Sequence, residues 1–121
     1  NTQIVYTSPA APSLVSFSNV TKNSLVLNWN DNANYEEGFK IERSTNGVDF
    51  SQVGTAAANA TSYSGNGTSG LDPNTQYWFR IRGYIGSLNG SYSEAVSCYT
   101  AGDRTQLIRG QVNLRGKVKF R

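Results

Sequence analysis

Residues 71–77 read Leu71-Asp72-Pro73-Asn74-Thr75-Gln76-Tyr77: an apolar residue, a proline turn, and a tyrosine at the mouth of an alternating run. Pro73 removes a backbone donor and fixes φ, so this stretch bends rather than pairs. Residues 76–84 follow, with Tyr77, Phe79 and Ile81 on one face and Trp78, Arg80 and Arg82 on the other. That period of two predicts a half-buried strand. A tyrosine entering such a strand can bury its ring and return its hydroxyl to a backbone group just upstream, which pins a crossover between two layers.

Working outward, the same short-strand pattern recurs on both sides. Leu14, Val15 and Phe17 predict a first strand, followed by a turn at residues 21–23. Residues 24–30 alternate, with Leu25, Leu27 and Trp29 on one face against Val26 and Asn28. Residues 31–38 are polar and loop-like, and Phe39 and Ile41 then alternate with Lys40 and Glu42. Asn46-Gly47 predicts a tight type I′ hairpin, since both central residues of that turn need positive φ, with residues 50–53 returning from it. Residues 54–60 read as loose, 61–64 as a short strand around Tyr63, and 65–70 as a Gly/Ser/Thr loop. Beyond the long strand, 86–90 reads as a loop and 93–100 as a last strand with Val96 and Cys98 inward. Seven short strands separated by regular turn signals predict an all-β, seven-stranded antiparallel sandwich.

The motif L-x-P-x-T-x-Y at 71–77 resembles the tyrosine corner of fibronectin type III domains. Trp29 resembles that family's core tryptophan, and Phe39 with Ile41 matches its aromatic-x-aliphatic third strand. The resemblance covers residues 10–100 and implies structural roles for Trp29, Phe39, Ile41, Leu71, Pro73, Tyr77 and Phe79. An immunoglobulin domain would carry a cysteine two residues after the corner tyrosine; that position is Phe79. The phrases GFKIERSTNGVDF (38–50) and TSYSGNG (61–67) look like versions of the domain found in secreted bacterial multi-domain proteins. There the domain commonly sits beside catalytic or carbohydrate-binding modules as a spacer or docking surface. The resemblance therefore implies an extracellular, non-catalytic module that meets neighbouring domains or a protein partner.

Composition argues the same way about chemistry. The chain has no His, which removes the usual general base at neutral pH, the commonest zinc ligand and any Ser-His or Cys-His nucleophile. The one cysteine, Cys98, falls at an inward strand position and reads as a small buried apolar side chain; it has no partner for an internal disulfide. Glu36 and Glu37 are adjacent in a loop and read as solvated charges. Asp31 with Glu36 and Glu37 is a candidate oxygen set for calcium, without EF-hand spacing. Arg-Gly pairs begin at Arg82, Arg109 and Arg115, and none continues to Asp, so the integrin tripeptide is missing. No cofactor and no nucleic-acid motif is indicated, and no apolar run is long enough to span a membrane.

Two surfaces are candidates for binding. On the outward face of 76–84, Trp78, Arg80, Arg82 and Tyr84 stand beside Lys40 and Glu42. This reads first as a stabilising cross-strand ladder, with Glu42 against an arginine and a guanidinium on Trp78. The sharper reading is a patch for sugar or peptide. Tyr35, Tyr84, Leu88 and Tyr92 lie on or near two loops expected at one end of the sandwich, where binding sites commonly sit.

Charge divides the chain. Through Thr100 there are five basic and seven acidic residues, a net of −2; from Ala101 on there are six basic and one acidic, a net of +5. Residues 1–9 form a lead and 101–121 a basic tail. In the tail, Val112, Leu114, Val118 and Phe120 share one parity against Gln111, Asn113, Arg115, Lys117, Lys119 and Arg121, the pattern of one extra C-terminal amphipathic strand. A lone strand needs a sheet edge. It is open to three readings: the start of a following module, an added strand beside residues 4–6, or a strand given to a neighbouring copy. A free basic arm, meeting an acidic polymer, is the remaining one. The chain begins at Asn1 rather than Met, which suits a mature product or an excised piece of a longer protein.

Overall fold

A computed structural model describes residues 7–102. Eight strands run in the order β1 (Ser13–Ser18), β2 (Val26–Asn30), β3 (Gly38–Ser44), β4 (Ser51–Ala57), β5 (Ser62–Tyr63), β6 (Gln76–Ile85), β7 (Leu88–Asn89) and β8 (Val96–Tyr99), with one 3₁₀ turn at Asn66–Thr68. One sheet is β1-β2-β5. The other is β4-β3-β6, extended by β7 along the second half of β6 and by β8 along its first half. Every pairing is antiparallel. The fold is the all-β sandwich expected from the alternation.

Apolar side chains on the inner faces fill the space between the sheets. Leu25, Leu27 and Trp29 of the β2 segment meet Phe39 and Ile41 of β3 and Tyr77, Phe79 and Ile81 of β6, with Leu71 closing one end. Trp29, 4% exposed, presents an edge to Phe39 at 5.4 Å between ring centroids, and Phe17 tilts against Phe79 at 5.9 Å. Such offset aromatic contacts add to the burial of apolar area, which is the main driving term.

The bend at 71–77 does what its sequence suggests. Tyr77 is 5% exposed, and the Asp72 N–H donates to its hydroxyl at 2.9 Å. Asn74 takes positive φ (50°), and the Thr75 hydroxyl donates to the Pro73 carbonyl at 2.8 Å. Pro73 itself is exposed; it shapes the bend and adds nothing to the core. Thr100, buried after β8, donates its hydroxyl to the Asp72 carbonyl at 2.6 Å and accepts from the Thr75 N–H at 3.0 Å. The crossover is thereby tied to the last strand.

Several local expectations change. The hairpin at Asn46-Gly47 exists, but it is not a two-residue type I′ turn. Arg43 pairs with Ser51, so residues 44–50 form the connection, and only Gly47 of the pair has positive φ (79°). The reason is side-chain chemistry: the Val48 and Asp49 N–H groups both donate to Asn46 Oδ1 at 2.8 Å, and the Asn46 and Gly47 N–H groups donate to Ser44 Oγ. These bonds favour the longer loop. Residues 54–57, read as loose, continue β4; Gly54 leaves room for the Tyr63 ring, whose hydroxyl a Cβ there would strike. Residues 86–90, read as a loop, contain β7, an eighth strand. Cys98 points inward but is only half-buried, because β8 stands at the sheet's margin. The extra strand expected at Val112, Leu114, Val118 and Phe120, and the lead residues 4–6, lie outside the described residues.

Replacing Tyr77 by Phe keeps the ring and strands the Asp72 N–H. The expected cost is about 1–3 kcal/mol, the penalty of leaving a partly buried donor unpaired, read from urea unfolding as a lower midpoint with an unchanged slope. An unchanged midpoint would show that the hydroxyl does not hold the crossover.

Candidate binding face

The outer face of the larger sheet is built by register. Across β3 and β6, Ser44 stands opposite Trp78, Glu42 opposite Arg80, Lys40 opposite Arg82 and Gly38 opposite Tyr84. Alternation sends these residues outward while Phe39, Ile41, Phe79 and Ile81 go to the core.

Glu42 is the centre of this face, and only 7% exposed. Arg80 donates to its Oε1 through Nε at 2.9 Å and forms an ion pair through Nη2 at 2.8 Å. The Tyr92 hydroxyl donates to Oε2 at 2.8 Å, and Arg82 Nη2 lies 3.9 Å from the same oxygen. The Arg80 guanidinium sits between two rings, 3.7 Å from the Tyr92 centroid and 4.2 Å from Phe50. The Arg82 guanidinium lies 4.4 Å from Tyr92, and Lys40 Nζ lies 5.0 Å from the Tyr84 ring while donating to Asn89 Oδ1 at 2.8 Å. The ladder expected at Glu42 is present, but the arginine stacks on Tyr92 and Phe50, not on Trp78. Trp78 instead packs against the 44–50 loop, with Gly47 closely over its indole. Tyr92, expected among the end loops, belongs to this face. Phe50, which opens the segment returning from the hairpin, also belongs to this face; it lies in no alternating run, so no sequence pattern marks it as part of the ladder.

Burial pushes the Tyr92 phenol above its ordinary range, helped by its hydrogen bond to Glu42 and that residue's charge, against the nearby arginines. Burial likewise pushes the Cys98 thiol up, so little thiolate exists at neutral pH. Its Sγ–H donates to the Tyr99 carbonyl at 3.4 Å.

The end loops are organised by the two adjacent glutamates, which are not both solvated. Glu36 is 9% exposed and accepts from the Asn59 N–H at 2.7 Å, tying the β2–β3 loop to the β4–β5 turn. Glu37 accepts from the Gly86 N–H at the β6–β7 hairpin. In extended chain, neighbours point apart, and here each reaches a different loop. The Tyr35 hydroxyl donates to the Thr7 carbonyl and accepts from the Thr7 N–H, both at 3.1 Å. Leu88 is exposed on β7. Asp31 accepts from the Ala33 N–H, and no group of three or more His, Cys, Asp or Glu side chains suited to a metal occurs among the described residues.

These features define a class: a two-sheet antiparallel sandwich whose crossover is pinned by a tyrosine hydroxyl. The sequence profile of the fibronectin type III domain matches residues 10–99, and the chain belongs to that family. Domains of this family are generally non-catalytic modules of multi-domain proteins. Similar folds occur in the titin A168–A170 structure (22% identity, TM-score 0.68, 78% of this chain and 32% of that one). They also occur in the fibronectin type III domain of human fibronectin type III domain containing protein 3 (19%, 0.67, 84% and 94%). A third is a β-1,2-glucanase from Parabacteroides distasonis (14%, 0.66, 87% and 14%). At these identities the likeness is one of fold. The chain spans about a third of the titin structure it resembles. No curated protein matches it.

Tyr92 is expected to ionise above the ordinary tyrosine range, and Glu42→Gln to move it back down, read from phenolate absorbance with Tyr92→Phe as the blank. Because the folded value is the higher one, the stability linked to Tyr92 is complete below the ordinary value and is lost as pH rises above it through the raised folded value. Glu42→Ala is expected to cost about 1–3 kcal/mol, below the full penalty for breaking a buried pair because Arg80 is partly solvated. A Tyr92 titration indifferent to Glu42 would break this account.

Proposed function

We propose that this chain is a spacer and docking module of a secreted, bacterial multi-domain protein, and that it performs no chemistry itself. The observation that carries the reading is the path of the polypeptide. Thr7 is bonded to Tyr35 in the β2–β3 loop, at one end of the sandwich. Ala101 donates to the Thr21 carbonyl and accepts from the Asn74 N–H, both at 3.0 Å, at the other end. The chain enters and leaves at opposite ends, the arrangement that strings modules in line. The clasp of Glu36 and Glu37 stiffens the entry end, which suits a spacer. The bacterial and secreted setting rests on the sequence phrases at 38–50 and 61–67.

The glycan reading is less favoured, because the indole of Trp78 carries the Gly47 loop against it. Assembly through the terminal strand rests on residues 111–121.

Light scattering tests the proposal. The full chain is expected to be monomeric, as is a version ending at Gly102. An oligomer of the full chain that dissociates on this truncation would replace the spacer by a self-assembling subunit.

A further inference from the structure

We propose that Lys40 and Arg82 form an anion site on the outer face of the larger sheet, and that its occupant is a carboxylate-bearing, acidic protein segment. The proposal rests on the docking reading above and adds the place and chemistry of the contact.

Charge accounting points to this pair. The chain through Thr100 is net negative, yet four of its five basic residues stand on the facing strands β3 and β6, and three of these, Lys40, Arg80 and Arg82, lie on the outer face, while Arg43 turns inward over Tyr77. Those two strands hold a single acid, Glu42. Glu42 is already committed: Oε1 to Arg80, and Oε2 to the Tyr92 hydroxyl. Arg82 is left with a 3.9 Å approach to Oε2, and its Nε is buried with no hydrogen-bond partner. Its partner in register is Lys40, a second cation, whose ammonium bonds a neutral amide oxygen on Asn89.

Like charges directly opposite in an antiparallel pair destabilise the sheet. Carboxylates of an acidic segment laid across the two strands would meet these heads, relieving that repulsion and giving charge-assisted hydrogen bonds. Both heads are held in advance: Lys40 over Tyr84 and Arg82 over Tyr92. Preorganisation of this kind lowers the ordering cost of binding. The same rings argue for a protein segment over an acidic sugar. Tyr84 carries Lys40, Tyr92 carries both arginines, and Trp78 carries Gly47, so the patch offers charge where a sugar ring would need an open aromatic plane.

The test uses the full chain, isotope-labelled, titrated at low salt with hexaglutamate and, separately, with oligogalacturonate. Hexaglutamate is expected to shift the amide resonances of β3 and β6 around Lys40 and Arg82, with affinity falling as salt is raised. Lys40→Gln and Arg82→Gln are each expected to weaken that binding by about tenfold, the equivalent of one charge-assisted contact. Lys40→Gln lies outside the Glu42 network and keeps the test valid should Arg82→Gln fold poorly. Shifts confined to the basic residues after Ala101, or affinity unchanged in Lys40→Gln, would overturn the site while leaving the spacer reading intact. Tighter binding of oligogalacturonate at the same resonances would overturn the assignment to a protein segment.

Discussion

The hydrogen bond from the Asp72 amide to the Tyr77 hydroxyl joins two demands that otherwise compete. A ring as large as tyrosine adds much apolar area to a small core, but its oxygen needs a partner if it is buried. The bend supplies one from the backbone a few residues upstream. The ring can then fill the space beside Leu71 while the chain changes sheets. Thr100 extends the arrangement by bonding both limbs of the bend, so the last strand is placed by the same corner. Trp29 and Phe39 occupy the opposite part of the core, and between these points the packing of Leu27, Ile41, Phe79 and Ile81 has little freedom.

The outer face follows a different logic. There the organising element is one nearly buried carboxylate among cations and rings. Glu42 stabilises Arg80 and orients Tyr92, and through Tyr92 it also steadies Arg82. A buried ion pair adds little net stability after desolvation. Its effect is to fix where the surrounding side chains stand, and the Arg82 half of the proposed site depends on that fixing.

The parts of the molecule legible in the sequence were those governed by local periodicity. Alternation in residues 24–30 and 76–84 marked the core faces correctly, and Leu71 to Tyr77 marked the crossover, because burial and turn chemistry are written in adjacent residues. What was not legible came from groups distant in sequence. Nothing local shows that the Asn59 amide and the Gly86 amide await two neighbouring glutamates. Nor does the sequence show that Tyr92, beyond a hairpin, folds over β6 to reach Arg80 and Glu42. The 44–50 loop misled for another reason. Asn46-Gly47 favours a tight turn by backbone preference, but the side-chain oxygens of Ser44 and Asn46 offered the backbone a different set of bonds.

Having the two ends of the described chain anchored at opposite poles also has a mechanical meaning. A pull applied along the long axis would load Thr7 against Tyr35 at one pole and Ala101 against Thr21 and Asn74 at the other. Tension would pass into the sandwich through these contacts. The antiparallel ladders would then be strained along their strands, where many hydrogen bonds share the force, and not peeled apart one by one. A sandwich tethered this way can carry load along its length and keep its interior intact.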